Sequence, residues 1–213
     1  MTRFRQAALL LGILALFVAR EAWSASPTEQ LKSSINKAVA VLQDPALKEN
    51  SRLHERRSAI REIANNTFDF RETAKRSLAR HWRIRTPGEQ DEFVEIFGNL
   101  LERSYFSRID QYGGERITYQ GERIDGDRAT VRSTIVTKQG TDVPVDYRML
   151  KRGDRWLVYD VIIEGVSLVS NYRTQFNKII RVSSYEELMK RMKAKQAKYE
   201  EKVRKARESG KKQ

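Results

Sequence analysis

The chain has 213 residues, a formal net charge of +13 and no cysteine. The lack of cysteine excludes disulfides, thiol chemistry and a bacterial lipid anchor attached to a cysteine. The charge does not indicate nucleic-acid binding, because residues 190–213 hold eleven Lys or Arg against three Glu and the rest of the chain is only weakly basic.

The N-terminus has the pattern of a secretory signal peptide. Arg3 and Arg5 precede an apolar run of 13 residues, 7–19, and small residues follow. A membrane anchor is the weaker interpretation, because a spanning helix needs about 20 apolar residues and Arg20 interrupts this run. We therefore predict a signal peptide over residues 1–24 and export of the mature chain, which also argues against a nucleic-acid partner.

Apolar residues then recur at helical spacing through the first half of the mature chain. The first helix is predicted to begin at Pro27 and to end before Pro45, and a second surrounds Ile60. Asp69 and Glu72 have the spacing of a capping box, which predicts the start of a third helix.

A fourth segment has the strongest helical pattern. Thr86, Pro87 and Glu89 supply a cap, a first-turn proline and an acidic third residue, and Gly113 ends the segment. Large apolar residues follow the cap at steps of three and four: Phe93, Phe97, Leu100, Leu101, Tyr105, Ile109 and Tyr112. Such a stripe requires a long apolar surface opposite it.

After Gly114 the apolar period changes to two, which predicts strands. Turn sequences at Asp125-Gly126, Gln139-Gly140 and Gly153 separate four strands, and short turns favour an antiparallel meander. A serine cap and renewed helical spacing from Leu168 predict a closing helix. We therefore predict an α+β fold, with helices packed against one curved four-stranded antiparallel sheet.

The last strand has apolar residues on both of its parities. Val158 and Ile162 occupy one parity, while Tyr159, Val161 and Ile163 occupy the other. Both faces are therefore expected to be covered, by packed helices, a partner protein or a bound apolar ligand. An aromatic helix against a curved sheet can also leave a cone-shaped cavity.

Residues suited to catalysis are scarce. His54 and His81 are the only histidines, and both lie among basic residues, without the spacing of a dyad or a metal site. A buried Asp146, Asp160 or Glu164 on a strand would serve as a general base if its pKa were raised, but arginines nearby in the sequence offer ion-pair partners. We expect no catalytic residues, no metal and no cofactor.

Residues 158–176 read VYDVIIEGVSLVSNYRTQF. This run resembles the signature segment of the MlaC family of periplasmic phospholipid carriers, also called toluene-tolerance Ttg2 auxiliary proteins. Further matching motifs follow the family order: Phe68-Asp69-Phe70, Trp82, Glu92-Phe93, Phe97, Leu100-Leu101, Tyr105, Val143 to Arg148, and Trp156. Together they span about residues 28–190.

The resemblance implies a nuclear-transport-factor-2-like cone that encloses an apolar cavity, with a lipid-binding domain over residues 25–190. It implies a periplasmic carrier that shuttles phospholipid between an outer-membrane lipoprotein–porin complex and an inner-membrane ABC transporter complex, maintaining outer-membrane lipid asymmetry. A hopanoid or other lipid as cargo is one alternative. A small-molecule enzyme on a similar cone is another.

We predict that the cavity is lined by apolar side chains of the long helix, the sheet and the signature segment. These residues are Phe97, Leu101, Tyr105, Val131, Ile135, Val145, Tyr147, Val161, Ile163, Val166 and Tyr172. Ordinary core packing is the alternative for each of them.

Residues 191–213 are predicted to form a basic C-terminal tail. A solvated, poorly ordered segment is the simplest interpretation of a basic run at a chain end. Transient contact with an anionic membrane surface is the alternative, because each Lys or Arg near such a surface contributes about 1 kcal/mol.

Overall fold

The computed structural model describes residues 25–210, so the predicted signal peptide and residues 211–213 lie outside the described residues. Within this part the helices and strands follow in the order α1 (Pro27–Gln43), α2 (Leu53–Thr67), α3 (Phe70–Leu78), α4 (Pro87–Asp110), β1 (Arg116–Asp125), β2 (Arg128–Val136), β3 (Asp142–Arg152), β4 (Arg155–Ile163), β5 (Val166–Ser167), α5 (Leu168–Val182) and α6 (Tyr185–Gly210). Across residues 25–210, no helix combines the length and the apolar character needed to cross a membrane.

The helices begin where their caps predict. The Ser26 side chain accepts a hydrogen bond from the backbone N–H of Glu29 at the start of α1. Thr86 and Glu89 form both halves of a capping box at the start of α4. At α3 only one half forms: Asp69 accepts from the Glu72 N–H, whereas the Glu72 carboxylate pairs with Arg76.

The five strands form one antiparallel sheet in the order β1-β2-β3-β4-β5. The structure confirms the predicted α+β class, with one short strand more than predicted. The added strand, β5, pairs with the end of β4 through Ile162–Ser167 and Ile163–Val166. It turns the chain from the sheet into α5, which Ser167 caps.

A β-bulge in β4 accounts for the apolar residues on both parities. Arg148 pairs with Asp160, but the next residue, Met149, pairs with Val158, so Tyr159 is an extra residue in β4. The bulge shifts the alternation by one position, and Val158 and Val161 consequently pack in the same cluster. Tyr159 is buried as well.

Two main apolar clusters hold the fold together. The sheet cluster joins Leu31 of α1 to Val131, Met149, Trp156 and Val158 of the sheet, and each of these side chains is buried. The helical cluster joins α3, α4, α5 and α6 around aromatic rings. Its residues include Leu78, Phe93, Phe97, Leu101, Phe176, Leu188 and Met192.

Residues 191–210 continue helix α6, which the sequence analysis did not predict. Met192 is buried in the helical cluster. Beyond it, Arg103 of α4 donates to the Gln196 carbonyl oxygen at 2.9 Å and to Glu200 Oε1 at 2.7 Å. The Arg103 guanidinium also lies over the Tyr199 ring, 5.3 Å from its centroid. These contacts fasten α6 along α4. A domain boundary at residue 190 stays a prediction.

Candidate functional site

The predicted lining residues of the sheet lie on one face. In the register Val131 is opposite Tyr147 and Val145 is opposite Ile163, and directly opposite residues of an antiparallel pair point to the same side. Alternation along β2 adds Ile135, pairing along β4 adds Val161, and Val166 of β5 is opposite Ile163. We call this set, with Met149, Trp156 and Val158, the apolar sheet face.

The two ends of the apolar sheet face are covered unequally. At one end Leu31 and Ile35 of α1 pack on Val131, Met149 and Trp156. At the other end the apolar clusters of residues 25–210 include neither Ile135 nor Ile163, and both are only half-buried. Val166, at the rim, is 62% exposed. A half-buried apolar surface on which no helix packs is suited to contact with the hydrocarbon of a ligand.

The predicted helical residues lie in the other cluster. The Phe97 ring contacts Tyr172 at 4.9 Å and Phe176 at 5.1 Å between centroids, both in T-shaped geometry. Phe97 and Leu101 are buried in the helical cluster, and Tyr105 and Tyr172 are partly buried against it. These contacts describe packing within the helical layer. A role in lining a lipid cavity stays a prediction for these residues.

The polar side chain among the predicted sheet residues is Tyr147, which is uncharged at neutral pH. Burial raises the pKa of Tyr147 to about 12, and nearby Tyr119 adds to the rise while a hydrogen bond with Ser133 opposes it. The Ser133 hydroxyl also donates to the Val145 carbonyl oxygen at 2.8 Å. A tyrosine that holds its proton this firmly cannot serve as a general base near neutral pH.

Asp160, the candidate acid of β4, is committed to structural contacts. Its Oδ1 accepts from the Val169 N–H at 3.0 Å and its Oδ2 accepts from the Ser167 hydroxyl at 2.7 Å. Arg148 donates to Oδ2 at 3.3 Å. With its oxygens occupied, this carboxylate has no geometry for proton transfer to a substrate. In residues 25–210, no group of three or more His, Asp or Glu side chains could hold a metal ion.

The sequence analysis missed a cavity of about 530 Å³ between α1, α2 and the start of β4. Leu31, Met149 and Trp156 line its apolar side, and Gln30 and Arg155 lie among its polar residues. Its apolar side therefore belongs to the covered end of the apolar sheet face. None of the predicted lining residues contributes to it. The signal for it in the sequence is the apolar stripes of α1 and α2, which do not show that a cavity lies between the two helices.

The chain is similar to known phospholipid-binding proteins. The sequence model of the MlaC protein family matches residues 32–194. A toluene tolerance protein, ttg2D, of Pseudomonas putida is 30% identical over 98 residues, which cover 46% of each chain. The intermembrane phospholipid transport system binding protein MlaC of Haemophilus influenzae is 24% identical over 99 residues, 44% of this chain and 46% of the relative.

These alignments span about half the length of the curated relatives. A solved structure extends the similarity over most of the chain. The phospholipid-binding protein of Ralstonia solanacearum, solved in complex with a phospholipid, has a TM-score of 0.73 and 26% sequence identity, and the match covers 82% of this chain and 98% of that chain. Because the family model matches more than half of the sequence, the chain belongs to the MlaC family.

Proposed function

We propose that this protein is a periplasmic carrier that shields phospholipid acyl chains and shuttles the lipid between the outer and inner membranes, thereby maintaining outer-membrane lipid asymmetry. The single observation that carries the proposal is the uncovered end of the apolar sheet face, at Ile135, Ile163 and Val166. The phospholipid complex of the related Ralstonia solanacearum protein supports the same ligand class.

Shielding is the physical requirement of such a carrier. An acyl chain exposed to water costs about 0.8 kcal/mol per CH₂ group, so two chains of ordinary length cost on the order of 20 kcal/mol. A protein that only covers these chains needs no nucleophile, metal or cofactor. We therefore propose a binding protein rather than an enzyme. Its partners would be an outer-membrane lipoprotein–porin complex and an inner-membrane ABC transporter complex that supplies the energy for directed transport.

We also propose transient contact with anionic membrane surfaces through α6. Arg191, Lys195, Lys198 and Lys205 follow one another at steps of four, three and seven, which places them along one side of the helix. Lys195 and Lys198 are exposed. This side of α6 carries charge without large apolar residues, so it suits attraction to headgroups rather than insertion into the bilayer.

The carrier function is tested by the lipid content of the protein purified after export. Native mass spectrometry should show added mass, and lipid analysis of the extract should identify a diacyl phospholipid. A hopanoid in the extract would replace phospholipid as the cargo. An extract without lipid, together with failure to bind added phospholipid, would contradict the carrier proposal.

The site is tested by placing a carboxylate on the apolar sheet face. Ile163→Glu should leave the protein folded and reduce its lipid content several-fold, because water can solvate a charge at the uncovered end but acyl chains cannot. Val158→Glu, at a fully buried position of the same strand, should instead prevent folding. Ile124→Glu, at a side chain that is 50% exposed, is the control that should change neither property. Unfolding of Ile163→Glu would assign that residue to the core.

A further inference from the structure

A second cavity lies in the helical layer, away from the apolar sheet face. It is open to solvent, has a volume of about 310 Å³ and is lined by residues 78–81, at the end of α3, and by Arg173, Thr174 and Asn177 of α5. Leu78 and Ala79 supply the apolar part of its wall. Its polar part is basic, because Arg80, His81 and Arg173 all line it.

Asn177 organises one side of this cavity. Its Oδ1 accepts a hydrogen bond from Arg80 Nη2 at 2.8 Å and another from the His81 ring at Nε2, 3.1 Å away. On the other side, Arg173 Nε donates to the Arg76 carbonyl oxygen at 2.9 Å. That bond fixes the base of the Arg173 guanidinium and uses only one of its five N–H groups. Two guanidinium groups are thus held beside one cavity.

The positive charge of the cavity is not compensated within the described chain. Neighbouring arginines pair with acids: Arg76 with Glu72, and Arg85 with Glu89. By contrast, no carboxylate among the side chains that the structure describes forms an ion pair with Arg80, His81 or Arg173. The acceptors of Arg80 and Arg173 are a neutral amide and a backbone carbonyl. Arg80 and Arg173 are both exposed, so the N–H donors that these contacts leave over are accessible to a ligand.

The backbone at the cavity wall is also unusual. Ala79 ends α3 with φ 50° and ψ −122°, a conformation that favours glycine. A non-glycine residue there costs on the order of 1–3 kcal/mol, and strain of this kind is concentrated at binding sites. Its consequence here is a sharp turn that places Arg80 and His81 consecutively against α5. The turn is locally unfavourable, and it places the Arg80 and His81 side chains within hydrogen-bonding distance of Asn177.

We propose that this cavity binds a phosphate group. A guanidinium presents parallel N–H donors that match the oxygens of phosphate, and the guanidinium groups of Arg80 and Arg173 supply donors from both sides of the cavity. The phosphate belongs either to a lipid headgroup at a membrane surface or to a free phosphate compound. The site is separate from the apolar sheet face, so the protein would bind this polar ligand in addition to the proposed lipid cargo.

The decisive variant is Asn177→Asp. The substituted carboxylate has the same shape and accepts the same hydrogen bonds from Arg80 and His81, so the fold should be kept. Its charge occupies the donors, and affinity for phosphate should fall by roughly tenfold or more. Arg83→Gln is the control: Arg83 is exposed, lies two residues beyond His81 and does not line the cavity. It should leave phosphate affinity unchanged.

Binding is measured by NMR titration of the purified protein with inorganic phosphate and, separately, dimethyl phosphate, against sodium chloride at equal ionic strength. Saturable shifts at residues 79–81 and 173–177 that Asn177→Asp abolishes would support the proposal and a free phosphate source. Cosedimentation with phosphatidylglycerol vesicles that Asn177→Asp weakens and Arg83→Gln does not, without binding of either soluble probe, would support a headgroup source. Failure to bind inorganic phosphate, dimethyl phosphate and the vesicles would overturn the proposal, and so would equal binding by Asn177→Asp. Because every readout is independent of bound cargo, this result and that of the carrier proposal can fail separately.

Discussion

Asp160 connects the sheet to the layer of helices through a single carboxylate. Its side chain is only 2% exposed, and it receives an ion pair from Arg148 of β3. Its other partners are the Ser167 hydroxyl and the Val169 N–H, at the turn into α5. A buried charge with three donors is compensated, but each of these donors depends on it. The residue that sequence reasoning considered as a general base therefore fixes the start of α5.

Asp160→Ala should destabilise the fold by about 3 kcal/mol, because it leaves the buried Val169 N–H and the Ser167 hydroxyl without their acceptor. Urea unfolding followed by circular dichroism measures the change. Asp146→Ala is the matched control, since Asp146 lies on the adjacent strand and is only half-buried. Its effect should stay within about 0.5 kcal/mol. An equally small effect for Asp160→Ala would show that water replaces the lost carboxylate.

At the scale of the element, α4 is defined by local chemistry. The Thr86 hydroxyl accepts from the Glu89 N–H, and the Glu89 carboxylate accepts from the Thr86 N–H at 2.8 Å. This hydrogen bond from the Thr86 backbone lowers the pKa of Glu89. Because the pKa of Glu89 is lower in the folded state, its carboxylate stabilises the fold at pH values above the unfolded-state pKa. This stabilisation is lost as the pH falls through the folded-state pKa.

Glu89→Gln should therefore lower the melting temperature at pH 7, and the difference from the wild-type protein should shrink as the pH falls below the unfolded-state pKa of about 4.3 and through the lowered folded-state pKa of Glu89. Differential scanning calorimetry across this range measures it. Glu95→Gln changes an exposed carboxylate of the same helix and should show no such pH-dependent difference. A constant difference at every pH would mean that the capping bond acts through its shape rather than its charge.

Local signals predicted helices α1 to α5 and the meander, whereas helix α6 and the details that arise from pairing between strands were not predicted. Thr86, Pro87 and Gly113 determine the ends of α4 through contacts with residues close in the sequence, so their effect can be predicted from the sequence. The bulge at Tyr159 depends on how β4 aligns with Met149 of β3, which no local pattern encodes. For the same reason the sequence gathered Phe97 and Val131 into one predicted cavity wall, while the structure places them in different clusters.

At the scale of the whole molecule, α6 adds a basic arm to a fold whose net charge is otherwise small. Its buried stripe of Leu188, Met189 and Met192 is followed by a segment in which large apolar residues are sparse and lysines are frequent. That sparse pattern has the composition of a solvated tail, which is why sequence reasoning predicted one. The contacts that hold this half of α6, from Arg103 and from Lys193 to Glu92, lie between distant parts of the chain.

Removal of residues 195–213 tests whether this arm serves the membrane or the fold. The cut keeps Met192 and the rest of the buried stripe. It removes the contacts of Arg103 with Gln196, Tyr199 and Glu200, and an ion pair with an exposed partner such as Glu200 is worth about 0–1 kcal/mol. The melting temperature should therefore change little. Binding to phosphatidylglycerol vesicles should weaken and lose most of its salt dependence, because exposed charges are screened within about 10 Å at 0.1 M salt.

Full-length protein with Lys195→Gln and Lys198→Gln is the matched variant: it keeps Arg103 and its partners but should reproduce part of the loss of vesicle binding. A large fall in melting temperature on truncation, with vesicle binding unchanged in the double variant, would assign α6 to the structural core instead of the membrane surface.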